Sequence, residues 1–159
     1  MSSSEFTLRE AAKADLATVV DLWRELIAHH VELGDTLRLA PDAEKSWRTW
    51  AKNHIHAADS RVVLAEADGR AVGMAVGMER ETPPVFGERR RGFITDLYVT
   101  AGWRRKGVGR ALAEDLLGWF RDRGLEAAEL AVASVNPGAE AFWRALGGAE
   151  QRRTMRIEL

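Results

Sequence analysis

The sequence contains no cysteine, which excludes disulfides, thiolate metal sites and cysteine nucleophiles. Tyrosine occurs once, at Tyr98, so a step needing a phenol has one donor to draw on. Neither sign of charge dominates: 23 basic residues stand against 24 acidic ones, a net charge of −1. Such a surface has no global attraction for nucleic acid or an acidic membrane, so any anion must be bound by a local feature. No apolar run approaches the roughly 20 residues of a membrane span. The opening MSSSEFTLREAAKADL lacks the apolar core of a secretion signal, and the expectation is a soluble cytoplasmic protein. No internal repeat and no low-complexity linker is visible.

What is present fits one domain, residues 1–159, with 46% apolar residues for its core. Phe6 to Glu10 reads as a short strand. Leu16, Val19, Val20, Trp23, Leu26, Ile27 and Val31 recur at helical spacing, and Trp47, Trp50, Ala51, His54 and Ile55 repeat that period up to about Ala58. Trp23, Trp47 and Trp50 lie on these stripes and are expected in the core. Gly34 and Pro41 mark a loop between the two helices.

The period then changes. Arg61 to Glu66 and Arg70 to Glu81 read as a hairpin about Asp68-Gly69. In its second strand Ala71, Gly73, Ala75 and Gly77 form a face small enough for a helix or ligand to lie close. Phe93 to Val99 follows as a strand, Gly107 to Arg123 as a helix capped by Gly124, and Ala127 to Ser134 as a strand. Ala139 to Leu146 is a short helix and Arg153 to Leu159 a final strand. Hairpins followed by crossovers predict an α/β fold, a mixed sheet with helices on both faces.

At the strand-to-helix junction stands WRRKGVGR, Trp103 to Arg110. The first N–H groups of a helix lack partners, and the helix dipole adds roughly half a positive charge there. Gly107 and Gly109 let the main chain approach an anion, and Arg104, Arg105, Lys106 and Arg110 reinforce the charge. A dinucleotide fingerprint would need a third glycine where Leu112 stands, and the Gly-Lys-Ser/Thr of a P-loop occurs nowhere.

This R-R-K-G-V-G resembles the R/Q-x-x-G-x-G/A signature of the GNAT family of N-acetyltransferases. ITDLYV resembles that family's fourth strand. N-P-G-A-E-A-F-W-R-A-L-G-G resembles its N-x-x-A-x-x-F-Y-x-x-x-G-F segment, and LREAAKADLATVVDLW is weakly similar to a family start. The resemblance spans nearly the whole chain. It implies a mostly antiparallel mixed sheet whose fourth and fifth strands splay apart to hold acetyl-CoA as co-substrate.

Carried over residue by residue, the resemblance implies that main-chain N–H groups of Arg105, Lys106, Gly107, Val108, Gly109 and Arg110 receive the pyrophosphate. The Arg104 segment enters the turn. Leu97 and Val99 would pair with the pantetheine amides, and an N–H near Tyr98 or Val99 would polarise the thioester carbonyl. Asn136 would contact the pantetheine or anchor the loop after the fifth strand. The sequence departs from the family at Trp143, where a tyrosine usually protonates the departing thiolate.

The acceptor must attack as a free amine. For an alkylamine of pKa about 10.4, deprotonation at pH 7 costs about 4.6 kcal/mol; for an α-amino group it costs about 1. A base is therefore worth most for alkylamines, and Asp96 is the candidate catalytic carboxylate. In a regular strand Ile94, Asp96 and Tyr98 would share one face. Glu79 and Glu81 are the second choice. The expected acceptor is an amine on a small molecule, or a peptide or protein amine, with no nucleic acid and no membrane partner. Its pocket would be lined by the first helix, Glu32 to Pro41 and Thr82 to Glu88. A non-catalytic acyl-CoA-binding module is the alternative, and a homodimer through the terminal strands is left open. No metal site is expected, because the neighbours His29-His30 and His54-x-His56 point to different helix faces. Arg89-Arg90-Arg91 reads as a solvated charge run.

Overall fold

The computed structural model describes residues 5–159. Strand β1 (Thr7–Glu10) leads through a 3-10 turn into helix α1 (Leu16–Glu32), followed by α2 (Ala43–His54). Strands β2 (Ser60–Ala67), β3 (Arg70–Glu81) and β4 (Arg90–Val99) come next, then α3 (Val108–Asp122), β5 (Ala128–Leu130) and α4 (Pro137–Ala145). One five-stranded sheet runs in the order β1-β2-β3-β4-β5. Its pairs are antiparallel except β4–β5, which is parallel. Among the described helices none is long and apolar enough to cross a membrane.

The hairpin forms where Asp68-Gly69 places it. Both residues have positive φ, 51° and 72°, as a turn matching strand twist requires. The α1/α2 face of the sheet buries Val62, Leu64, Met74, Val76 and Tyr98 against Val19, Leu22, Trp23 and Leu26. Trp23 and Trp47 stack with ring centroids 5.1 Å apart. The other face buries Val63, Ala75, Ile94 and Val99 against Val108, Leu112, Leu116 and Phe120 of α3.

The small-residue face of β3 takes a helix, not a ligand. A Cβ built on Gly73 would stand 3.1 Å from Leu112 Cδ1, and one on Gly77 3.0 Å from Phe120 Cζ. Under the same ring, a Cβ on Gly92 of β4 would lie 2.6 Å from Phe120 Cδ2. Helix α3 thus rests almost directly on the strand backbones.

Three features depart from the sequence reading. Strand β4 carries a bulge: Val76 pairs with Asp96 but Gly77 with Ile94, leaving Thr95 extra. Ile94 therefore turns to the α3 face while Asp96 and Tyr98 turn to the α1/α2 face, so the three do not share one side. Strand β5 is three residues long, shorter than the expected 127–134. The segment expected as a final strand, Arg153 to Leu159, forms no strand, because no strand edge of its own chain meets it.

Gly92→Ala should destabilise the fold by about 1–3 kcal/mol, since the Phe120 ring is fully buried and cannot retreat. Denaturant midpoints check this. Combination with Phe120→Leu should cost less than the sum of the two single changes.

Candidate active site

Parallel pairing of β4 with β5 covers only Gly92↔Ala128, Phe93↔Glu129 and Ile94↔Leu130. Beyond Ile94 the two strands part, and the last five residues of β4 have no neighbour on that side. The Thr95 bulge stands at the fork. The Thr95 hydroxyl donates to the Val76 carbonyl, 3.4 Å away. On the other edge of β4, Thr100 N–H donates to Val72 C=O at 2.9 Å. The alternation of an antiparallel ladder then turns Tyr98 N–H and C=O toward β3, and those of Leu97 and Val99 toward the open fork.

Arg104 folds back onto this strand. Its Nε donates to the Val99 carbonyl at 3.0 Å, and its Nη2 lies 3.4 Å from the Tyr98 hydroxyl. Of the two outward groups of Val99, the carbonyl is thus taken and the N–H remains.

The turn after Arg104 is left-handed at two positions, Arg105 (φ 59°) and Gly107 (φ 85°). Positive φ at a non-glycine residue is a strained arrangement that concentrates at functional sites, and such turns bring successive N–H groups together. Among the described residues, no protein acceptor meets the N–H groups of Arg105, Lys106, Gly107, Val108, Gly109 or Arg110. The first helical bond of α3 is Ala111 N–H to Gly107 C=O, 3.0 Å. A Cβ at Gly107 would meet nothing within 4 Å, so this corner is open. At Gly109 it would only touch Phe142 of α4, at 3.5 Å, and Val99, at 3.7 Å. The helix N-terminus, the end of β4 and α4 therefore converge. Lys106 Nζ stacks 4.8 Å from the Trp103 ring and Arg110 pairs with Glu114, so both charges stay at the surface.

Asn136 caps α4, its Oδ1 accepting from Ala139 N–H at 3.0 Å. Trp143 is partly buried and packs toward the α3-side core. The indole brings no hydroxyl to the fork.

On the α1/α2 side, Asp96 is partly buried. Burial pushes its carboxyl above the usual range, while the Thr95 hydroxyl and the His30 charge pull it back. Tyr98 is also raised, first by burial and then by Glu25, so its phenol stays protonated. Glu79, the second-choice base, lies away from this group; it is held by Arg90 and Arg123, the latter at 2.8 Å.

Two further residues join Asp96 that sequence reasoning passed over. His30 Nδ1 lies 2.9 Å from Asp35 Oδ2. Helix α1 ends with Gly34 N–H bonded to Val31 C=O and Asp35 N–H to His30 C=O, each 3.0 Å. This glycine-terminated cap folds Asp35 back over His30. The signal was in the sequence: a glycine directly after the helical stripe places the next residue above the one five positions earlier. Beside them His29 lies with its ring centroid 6.4 Å from that of Tyr98, its pKa lowered chiefly by burial and then by Arg104.

Comparison with known proteins agrees with this geometry. Residues 22–147 match the family described as "Acetyltransferase (GNAT) family". An aminoglycoside N(6')-acetyltransferase type 1 of Stenotrophomonas maltophilia is 31% identical over 164 residues, covering 98% of this chain and 94% of that protein. A mutant of the BH1408 protein of Bacillus halodurans superposes with a TM-score of 0.83 at 27% identity, covering 96% and 99% of the two chains. A predicted acetyltransferase of Clostridium acetobutylicum, solved with acetyl-CoA, shares the fold with a TM-score of 0.81 at 15% identity, covering 97% and 96%. The chain belongs to the GNAT family and is an acetyl-CoA-dependent acetyltransferase.

The raised carboxyl of Asp96 has a consequence for stability. Below the ordinary aspartate pKa of 3.8 both folded and unfolded states are protonated and nothing is lost. As pH rises, the unfolded state ionises first, so the folded state loses stability until its own higher pKa is passed. Asp96→Asn should therefore raise the melting temperature, and the gain should grow from pH 4.5 to pH 8. A gain that is flat across this range would show that the carboxyl is not raised.

Proposed function

We propose that the protein transfers the acetyl group of acetyl-CoA to a primary amine, by direct attack of the neutral amine in a ternary complex. The observation that carries this is the row of unmet amide hydrogens from Arg105 to Arg110, opening beside the unpaired edge of β4. The two together suit a diphosphate followed by an extended, amide-bearing arm. Acetyl-CoA supplies an activated thioester when bound. The N–H groups of Leu97 and Val99 and the Leu97 carbonyl would hold its arm as a short strand is held. Because Tyr98 N–H faces β3, Val99 N–H is the donor offered to the thioester carbonyl, a contribution of about 3–4 kcal/mol where such donors have been removed elsewhere.

The acceptor would enter on the α1/α2 side. Asp96, Asp35 and Glu25 give that side carboxylates suited to a cationic amine. The relative named as an aminoglycoside N(6')-acetyltransferase favours a small-molecule acceptor over a peptide. Asp96 would take up or relay the amine proton, with His30, fixed through Nδ1 by Asp35, as its neighbour. Trp143 leaves the thiolate without the usual phenol donor. A thiol of pKa about 8.5 departs tolerably without one near neutral pH. The same tryptophan is the observation favouring a binding module without turnover, and thiol release from acetyl-CoA across a panel of aminoglycosides, diamines and peptides separates the two readings.

Gly107→Val should weaken coenzyme A binding at least about 100-fold in calorimetry. Positive φ strains any such variant, so Gly124→Val at the far end of α3 (φ 75°, nothing near its Cβ) serves as the control and should bind normally. Normal binding by the Gly107 variant would remove the cradle. Asp96→Asn should lower turnover by about 10²–10⁴ while leaving coenzyme affinity nearly intact, and unchanged turnover would remove Asp96 from the reaction.

A further inference from the structure

The sheet face that carries Asp96 continues past the end of α2. Met74 and Val76 of β3 lie on the α1/α2 side, so strand alternation brings Met78 and Arg80 to it as well. On β4, Gly92 and Ile94 lie under α3, which turns Phe93 between them to the side of Arg80. The contact agrees: the Arg80 guanidinium lies over the Phe93 ring, 3.7 Å from its centroid. Helix α2 ends at the level of Met78, since Ser60, the strand partner of Met78, donates its hydroxyl to His54 C=O at 2.7 Å. Arg80 lies beyond that point and is exposed, with Phe93 half-buried beneath it.

The charge of Arg80 is unmatched. Its strand partner is Arg91, and like charges directly opposite each other on a strand pair are destabilising. Arg91 is met by Glu88 and by Glu129, the latter at 2.6 Å. Arg90 and Arg123 are met by Glu79. Among the described residues no carboxylate meets Arg80. Its guanidinium is nonetheless held in place, because a cation over an aromatic face is attracted by the ring quadrupole. Stacking uses the face of the guanidinium and leaves its edge, with parallel N–H donors, free for a planar acceptor.

The spacing to Asp96 follows from the register. Asp96 pairs with Val76 and Phe93 with Met78. Those two β3 positions are two residues apart, about 7 Å at roughly 3.4 Å per residue. A carboxylate suited to a cationic amine and a guanidinium suited to an anion thus stand that far apart on one face.

We propose that Arg80 selects the acceptor by pairing with the carboxylate of an aliphatic amino acid whose side-chain amine reaches Asp96. This rests on the reading that Asp96 meets the acceptor amine. One guanidinium edge matches the two oxygens of a carboxylate. A phosphate would call on further donors, and Arg91 is already tied to its own carboxylates. Arg80 is then a specificity-determining residue and takes no part in the chemistry.

Acceptors that differ only in the carboxylate test this: ornithine against putrescine, and lysine against cadaverine. Thiol release from acetyl-CoA gives kcat and KM, and calorimetry on the coenzyme A-loaded chain gives affinity independently of turnover. The amino acid of each pair should show KM and Kd at least about 10-fold below those of its diamine. Arg80→Met keeps the cover on Phe93 without the charge. It should abolish the difference by raising KM for the amino acid, with kcat little changed. A diamine bound as tightly as its amino acid overturns the proposal, as does an Arg80→Met chain that keeps the preference, or binding of neither compound. Amino acids that bind with the preference but release no thiol would sink the acetyl-transfer reading and leave the role of Arg80 supported.

Discussion

One extra residue in β4 sets the geometry on which the site depends. In a regular strand, with Thr95 paired in the ladder, Asp96 would point to the same side as Ile94, into the packed α3 side. With the bulge, Asp96 and Tyr98 turn to the side lined by α1, and Leu97 and Val99 present their main chain at the fork. The bulge also coincides with the last β4–β5 pair, Ile94↔Leu130. A single local irregularity thus separates a face of main-chain donors from a face of titratable side chains. That separation is what an acyl transfer between two substrates entering from opposite sides requires.

The electrostatics follow the same economy. The chain is nearly neutral, and most of its arginines are paired: Arg9 with Asp15 and Glu66, Arg61 with Asp115, Arg123 with Glu79. In the proposed reading, attraction for an anion would come from backbone groups at one helix end, where amide hydrogens and the dipole act together. Arg104, the signature arginine, spends its side chain on Val99 and Tyr98 and so stiffens the strand end beside the turn.

Much of this was legible in the sequence because it is local. The Asp68-Gly69 hairpin, the Gly107 entry to α3 and the Gly124 stop each need only neighbouring residues, and each forms where the residues place it. The bulge was not legible, because it is decided by a partner strand through Val76 and by which face α3 covers. The Asp35–His30 pair fell between the two cases: the cap that creates it is local, but Gly34 reads as an ordinary loop residue unless the cap is traced bond by bond. The terminal alternation at Met155 and Ile157 reads as a strand pattern, yet the segment forms no strand, because alternation alone supplies no edge to pair with.

The glycine bed under α3 has a mechanical consequence. At Gly73, Gly77 and Gly92 the side chains of the helix press on strand main chain, between the side chains of Val63, Ala75 and Ile94. From Phe120 to Val108 it spans about 18 Å, at 1.5 Å per residue. A tilt of about 5° pivoting at the Phe120 end would swing the amide crown by about 1.5 Å, enough to break hydrogen bonds to a phosphate. The bed would thus set the aim of a proposed anion site from positions at the other end of the helix.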